Sequence, residues 1–476
     1  MPLLFSPGDI LATGPLTIVA FTALLVLVVE SVVDRSEGVT LWLALGGLAA
    51  AFVTAWLRLD DRGTAYHEMV LTGGYANFAA MVFCAAGALS VMLSPDYVRR
   101  QGIEHGEYYV LILLSIAGMI LMGSAADLVI FFVGLEIMSV SFYVLAGFLR
   151  TRASSNEAAL KYFLLGAFAT GFLLYGIALV YGASGTTAIS GVIARAPSLA
   201  GSFLFLAGLS LIVIGLAFKV GAVPFHMWVP DVYEGSPTTV TGFMSTAGKA
   251  AAFAAFLLIF GPALTGGVPA VREVLAVVAA LSMVVGNVMA IAQSSVKRML
   301  AYSSIAHAGY MLTGIVAANA YGAQGVLFYL AAYALMNVGA FGILSILESD
   351  DGGGVGYDDY AGLSASRPLL AGLMALFMFS LAGIPPFAGF FGKYYVFAGA
   401  VTAGYTWLAV VGVLMSVVSA YFYLRLVVLM YFKDQPCMLE PKTSGLGMAA
   451  VVLAAVAVVQ FGVLPATLLG LMRNFF

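Results

Sequence analysis

The sequence predicts an all-α polytopic membrane protein, and three observations carry that prediction. Hydrophobic residues make up 62% of the 476-residue chain and charged residues only 9%, whereas a soluble domain carries about 25% charged residues. The apolar residues come in runs of about twenty, long enough to cross a bilayer as helices and too continuous for the alternating strands of a β-barrel. Two of these runs are broken by glycine and proline, and four ionisable residues, Glu136, Lys219, Lys249 and Lys393, lie inside runs of this kind.

Read in order, the runs give fourteen expected spans: 10–31, 39–58, 73–94, 107–124, 126–149, 157–182, 202–233, 237–260, 271–293, 299–319, 323–347, 369–400, 403–432 and 445–472. The first exceeds the roughly 7–15 residues of a signal-peptide core and lacks a basic lead, so it reads as a retained helix. The seventh contains Gly221, Pro224 and Pro230, and the twelfth contains Gly383, Pro385, Pro386, Gly389 and Gly392. Proline removes a helical hydrogen bond, and the backbone groups so freed persist at membrane depth only where they line protein or a wet cavity. The two broken spans lie five apart. This predicts two five-helix units, helices 4–8 and 9–13, with residues 107–260 and 261–432 as inverted copies. Residues 1–106 form three leading helices and 433–476 a final one.

The loops set the orientation. Connections after odd-numbered spans carry Arg35, Arg99, Arg100, Arg150, Arg152, Lys297, Arg298, Arg367, Lys433 and Lys442. Those after even-numbered spans, with the C-terminus, carry only Arg58, Arg62, Arg195, Arg272 and Arg473. The excess predicts both termini on the outer, periplasmic side of a bacterial inner membrane. The acidic, glycine-rich stretch ESDDGGGVGYDDYAGLSASR is expected to be a mobile loop, and no basic cluster points to nucleic acid.

A charge at the bilayer centre costs roughly 3 kcal/mol on insertion scales, so the embedded ionisable residues read as an ion or proton pathway. Desolvation favours the neutral amine, which lets a buried lysine exchange a proton near neutral pH. Glu136 is the only acid in mid-span and is the expected ion-pair partner of Lys219; the alternative is a static pair that fixes packing. Lys249 is expected on one helical face with Thr238, Thr241 or Gly242, and Ser245, against a lysine that snorkels to an interface. Lys393 follows the second break. His307, with Ser303 and Ser304 on its face, and His226, in the first break, are relay candidates or hydrogen-bonded packing residues. Lys161 is either part of the route or an interfacial lysine, and Arg425 anchors a helix end among aromatics. Two cysteines, Cys84 and Cys437, exclude a disulfide framework and a Cys-ligated iron–sulfur cluster. No phosphate loop, dinucleotide fingerprint or nucleophile elbow is visible, so the chain is expected to move ions without bond chemistry of its own.

The stretch GLAFKVGAVPFHMWVPDVYEGSPTTVTGFMSTAGKAAAF resembles a signature of the N-subunit family of bacterial complex I, similar to the mitochondrial and chloroplast subunit 2 family. GLEIMSVSFYVLAGF, EAALKYFLLGAF, QSSVKRMLAYSSIAHAGYML, SLAGIPPFAGFFGKYYVF and YFYLRL match the same family in the same order. The wider group is the antiporter-like subunits, similar also to Mrp-type cation/proton antiporters. The resemblance implies fourteen helices, discontinuous helices 7 and 12, and a proton route along the membrane plane. It maps Glu136 to the helix-5 carboxylate, Lys219 to helix 7, Lys249 to helix 8, Lys393 to helix 12 and Lys161 to helix 6. Lys393 favours the N subunit over the M subunit, which usually has glutamate there, and the chain lacks the lateral helix expected of the L subunit. It further implies M, K and J subunits as neighbours, with FMN, iron–sulfur clusters and quinone in other subunits of an NADH:quinone oxidoreductase. The competing readings are an Mrp-type cation/proton antiporter subunit and a static scaffold with relic lysines.

Overall fold

The computed structural model describes residues 7–33, 36–349, 352–433, 437, 439–441, 445–473 and 475. Arg35 and Lys442, used above for orientation, lie outside them. The chain is helical almost throughout. The main helices are α1 (Gly14–Val32), α2 (Glu37–Leu57), α3 (Gly74–Arg100), α4 (Glu107–Gly123), α5 (Leu128–Ala146), α6 (Ala153–Ser184), α7 (Phe203–Val220) and α8 (Trp228–Gly235). They continue as α9 (Thr238–Ile259), α10 (Pro269–Ile291), α11 (Val296–Val316), α12 (Ala320–Leu347), α13 (Pro368–Ala382), α14 (Ala388–Thr402), α15 (Thr406–Phe432) and α16 (Gly445–Val463). Among the described residues, eleven helices are long and apolar enough to cross a membrane. Side-chain caps start several of them: Asp127 accepts from Val129 N at 2.8 Å, Ser295 from Arg298 N at 3.2 Å and Asn319 from Gly322 N at 2.7 Å, each meeting an otherwise unpaired donor.

Burial sorts the helices. The apolar windows of α9 and α12 are each 94% buried, against 28% for α1 and 33% for α6 and α15. The outer helices turn large apolar side chains outward, including Phe168 and Phe172 on α6 and Val417 and Tyr421 on α15, as helices facing lipid do. α11 is not among the eleven apolar spans, yet nearly all of it is buried. Its Lys297, Ser303, Ser304 and His307 face protein, so it needs no apolar exterior.

The two expected interruptions are present and share one geometry. α7 ends at Gly221, whose φ is +71°; Gly221 N donates to Phe218 O at 3.0 Å and Ala222 N to Ala217 O at 2.8 Å. α13 ends at Gly383, whose φ is +88°; Gly383 N donates to Ser380 O and Ile384 N to Phe379 O, both at 3.0 Å. This is the Schellman arrangement, which puts glycine in the left-handed region.

Several features depart from the sequence reading. Residues 59–72, read as a loop, hold most of a hairpin of β1 (Arg62–Ala65) and β2 (Val70–Gly73) in antiparallel register, Arg62 opposite Gly73. Its turn holds Tyr66, His67 and Glu68 at positive φ. A short helix, Ile189–Leu199, stands between α6 and α7. The final span stops at Val463 and resumes as Pro465–Met472, because proline cannot continue the α16 hydrogen-bond ladder. The acidic loop packs onto the bundle: Val296 N donates to Val355 O at 2.8 Å and Tyr357 N to Ser294 O at 3.0 Å. Tyr360 and Glu348 are buried, and Arg152 pairs with Glu348 at 3.5 Å. The expectation of a mobile loop is therefore corrected for its described part. Its glycines permit tight turns, while its tyrosines supply apolar area to bury.

Candidate functional site

Lys219, Lys249 and Lys393 are 7%, 3% and 5% exposed, so the four-carbon stems do not carry the amines to water. Each instead meets a different set of hydroxyls, carbonyls and rings.

Lys219 lies one residue before the end of α7. Its Nζ donates to Ser139 Oγ at 2.7 Å and Tyr143 OH at 3.2 Å. It also lies 5.4 and 5.9 Å from the ring centres of Tyr143 and Tyr162, where the negative ring faces favour a cation. Tyr162 stacks on Trp228 at 4.5 Å, and the Trp228 indole donates to Phe218 O at 2.9 Å, binding α8 to the end of α7. The expected Glu136–Lys219 ion pair is not among the described ion pairs. Glu136 Oε1 is buried without a hydrogen-bond partner among the described residues. The reason is local. Ser139 and Tyr143 stand three and seven positions after Glu136 on one face of α5, and their hydroxyls take the amine first. That spacing was readable in the sequence, and the two hydroxyls are site residues that the sequence reading missed.

Lys249 follows a π turn, Met244–Gly248, within α9. Wider turns of this kind are frequent at functional sites. The turn displaces the face expected from α-helical spacing. Ser245 and Thr246 hydroxyls donate to Gly242 O at 3.0 and 2.8 Å, and Thr241 to Tyr233 O at 2.9 Å. They serve the backbone and do not reach Lys249. The lysine Nζ instead donates to Ser304 O at 2.6 Å and to the Ser304 hydroxyl.

From Ser304 a polar cluster continues through α11. The neighbouring Ser303 hydroxyl bonds the Tyr423 hydroxyl, which lies 3.1 Å from His307 Nε2. His307 Nδ1 is 2.7 Å from Tyr329 OH. The His307 ring meets Tyr310 edge-on at 5.5 Å, and Lys393 Nζ lies 4.9 Å from the centre of the Tyr310 ring. Lys393 Nζ donates to Ser416 Oγ at 2.7 Å and to Ala382 O at 2.9 Å. Ala382 is the last residue of α13, so this amine satisfies a carbonyl freed by the second break and meets the negative end of the half-helix. His307 thus touches Tyr329, Tyr423 and Tyr310, and the Tyr310 ring in turn meets Lys393, which Ser416 holds.

Lys161 stands apart. Its side chain is 42% exposed and pairs with Glu157 at 2.7 Å and Asp231 at 2.9 Å; Asp231 also holds Arg298 at 3.0 Å. These residues, with Glu234 and Gly235, line a polar cavity of about 180 Å³. His226 lies in the first break, half-buried, with Nδ1 buried and unpartnered among the described residues. Arg425 stacks over the Tyr357 ring at 4.3 Å, as an anchor among aromatics would.

Residues 125–419 match the family described as NADH:quinone oxidoreductase/Mrp antiporter, transmembrane. The NADH-quinone oxidoreductase subunit N of Trichlorobacter lovleyi is 45% identical over 449 residues, covering 94% of this chain and 92% of that protein. The chain belongs to the N-subunit family of NADH-quinone oxidoreductase. Among solved structures, a chain of respiratory complex I from Thermus thermophilus with bound aureothin superposes with a TM-score of 0.83. It is 36% identical, with 96% of this chain and 98% of that one covered. A chain of the Mrp complex from Dietzia sp. also gives a TM-score of 0.83, covering 97% of this chain and 96% of that one; at 22% identity it speaks to the fold alone. The N-subunit family thus sets this chain with complex I rather than with the Mrp antiporters. It is a multi-pass membrane subunit of that enzyme complex.

Proposed function

We propose that this N-subunit chain moves protons through the membrane domain of a type I NADH:quinone oxidoreductase. The observation that carries the reading is the set of three buried lysine amines, none paired to a carboxylate among the described ion pairs, with a hydroxyl–imidazole cluster between two of them. A lysine kept as a fixed charge gains most from a tightly held counter-ion. A lysine that must lose and regain its proton is better served by neutral acceptors.

In this reading Lys219 takes up a proton, with Glu136 as a nearby carboxylate whose approach favours the charged amine and whose retreat releases it. Lys249 passes the proton on through Ser304 and the His307 cluster, and Lys393 delivers it at the second break. His226, in the first break, and Lys161, beside it, stand at the mouth of the route. Redox chemistry in other subunits, which hold the FMN, iron–sulfur clusters and quinone, drives the cycle. The M subunit borders one side and the K and J subunits the other. The chain spans the bacterial inner membrane fourteen times, with both termini periplasmic, in two inverted five-helix units at residues 107–260 and 261–432. The shared geometry of the two breaks supports that repeat.

The test uses membranes holding the assembled complex with Lys219→Ala. NADH:quinone activity and ΔpH formation are recorded with and without Na⁺. Pumping falls by about tenfold or more if the amine is an obligatory proton carrier. Unchanged pumping would make the chain a scaffold, and loss of only a Na⁺-dependent pH response would favour the antiporter reading.

A further inference from the structure

Asn337 lies in the middle of α12 and is 0% exposed. Its Oδ1 and Nδ2 are both buried without a hydrogen-bond partner among the described residues, and so is the hydroxyl of Tyr333, one turn earlier. A carboxamide brings two donors and two acceptors. Interior polar groups are almost always paired, and an unmet one costs the full desolvation of that group. Three such atoms on one turn of α12, which with α9 is the most buried of the spans, call for partners.

The surroundings indicate what those partners do. Positions 333, 337 and 341 share one face of α12, and that face lies on α9. Phe341 packs against Gly242 closely enough that a β-carbon there would come within 3.0 Å of the Phe341 Cβ. The Tyr333 ring centre lies 5.9 Å from Lys249 Nζ. Asn337 therefore stands between these two contacts. The Tyr333 hydroxyl has no hydrogen-bond partner among the described residues, and Lys249, whose amine lies against the Tyr333 ring, is held by Ser304. Unmet polar groups gathered on one turn are a setting in which a water bridges, and a buried water typically makes about three hydrogen bonds. If Asn337 were only glue between helices, it would bond a group on a neighbouring helix.

We infer that Asn337 is a positioning residue of the proton route, holding with Tyr333 an ordered water beside Ser304 that exchanges protons with Lys249. The inference rests on the proton-moving reading above. In the exchange one Lys249 N–H bond breaks as an O–H bond forms on the water, leaving a neutral amine and a hydronium ion. The reverse restores the ammonium, and no electrons are transferred. Tyr333 and the Asn337 amide orient the water so that its lone pair faces the amine.

The test compares Asn337→Leu, Asn337→Ser and Lys249→Ala in the assembled complex, reading ΔpH per NADH oxidised and the solvent isotope effect on coupled turnover. Leucine removes both polar atoms at similar size. Pumping should fall by about fivefold, the worth of one hydrogen bond, with a larger isotope effect. Serine, which leaves room for water and offers a hydroxyl, should retain most of it. Wild-type pumping in Asn337→Leu alongside loss in Lys249→Ala overturns the inference and leaves the broader reading standing. Equal losses in the leucine and serine variants, with an unchanged isotope effect, make Asn337 a packing residue and also overturn it. Wild-type pumping in Lys249→Ala overturns the proton-moving reading itself. Should Asn337→Leu not assemble, Tyr333→Phe decides: the inference requires a reduced ratio and an enlarged isotope effect, and wild-type values refute it.

Discussion

At the scale of single residues, the hydrogen-bond partners of each buried amine are neutral. Lys219 has two hydroxyls and three rings, Lys249 one serine and a ring, and Lys393 a serine, a carbonyl and a ring. A hydrogen bond to a charged group contributes about 1.5–3 kcal/mol. Ser139→Ala, which removes the 2.7 Å acceptor of Lys219, is therefore expected to lower ΔpH per NADH more than Tyr143→Phe, which keeps the ring and loses only the 3.2 Å contact. Lys161 is the contrast: with its side chain 42% exposed and two carboxylate partners, its ion pairs are screened by solvent. Lys161→Ala is expected to reduce pumping by less than roughly threefold, and more at low ionic strength than at high. Equal effects at both would remove Lys161 from an exposed mouth. The identities of the amines were legible in the sequence because a charge inside an apolar run is conspicuous. Their partners were not, because a serine or tyrosine in a span has no such contrast. For this reason Glu136 was expected on Lys219 where Ser139 stands.

At the scale of elements, the two breaks were readable because glycine and proline act locally. The π turn before Lys249 was not, since MSTAG holds no proline and its one glycine, Gly248, sits against the Phe142 ring of α5 as a packing glycine would. The hairpin at residues 62–73 was missed because its turn, Tyr66–Glu68, lacks the Asn-Gly signal that marks such turns. The second break depends on close backbone approach: a β-carbon on Gly389 would come within 1.8 Å of Ser380 O. Relieving that clash by moving α14 costs about 1–3 kcal/mol. Gly389→Ala is therefore expected to lower the thermal stability of the assembled complex and its coupled activity together. A variant of unchanged melting temperature and activity would mean that α13 and α14 are not held at this distance.

At the scale of the molecule, the most buried helices carry the chemistry, and the exposed ones face the apolar surroundings. α9 and α12 form the centre, with Lys249 on one and Tyr333 and Asn337 on the other. Three cations of the loops after the expected odd-numbered spans are each tied to other parts of the bundle. Arg100 donates to the Glu348 and Ser345 carbonyls, Arg152 reaches Glu348 and Gln101, and Arg298 reaches Asp231. Asp231 thus ties Lys161 on α6 to Arg298 on α11, one from each of the two proposed five-helix units. Asp231→Asn weakens both ties at once and is expected to slow coupled turnover more than Lys161→Ala does, read as NADH:quinone activity in membranes. The loop asymmetry was legible from the sequence, but this tie was not, because it joins residues 67 positions apart. The most direct test of the proton route is the number of protons moved per NADH oxidised by the purified complex in liposomes, with Lys249→Ala in this chain. The account predicts a lower ratio and slower coupled turnover with the complex intact. A wild-type ratio at wild-type speed would contradict it.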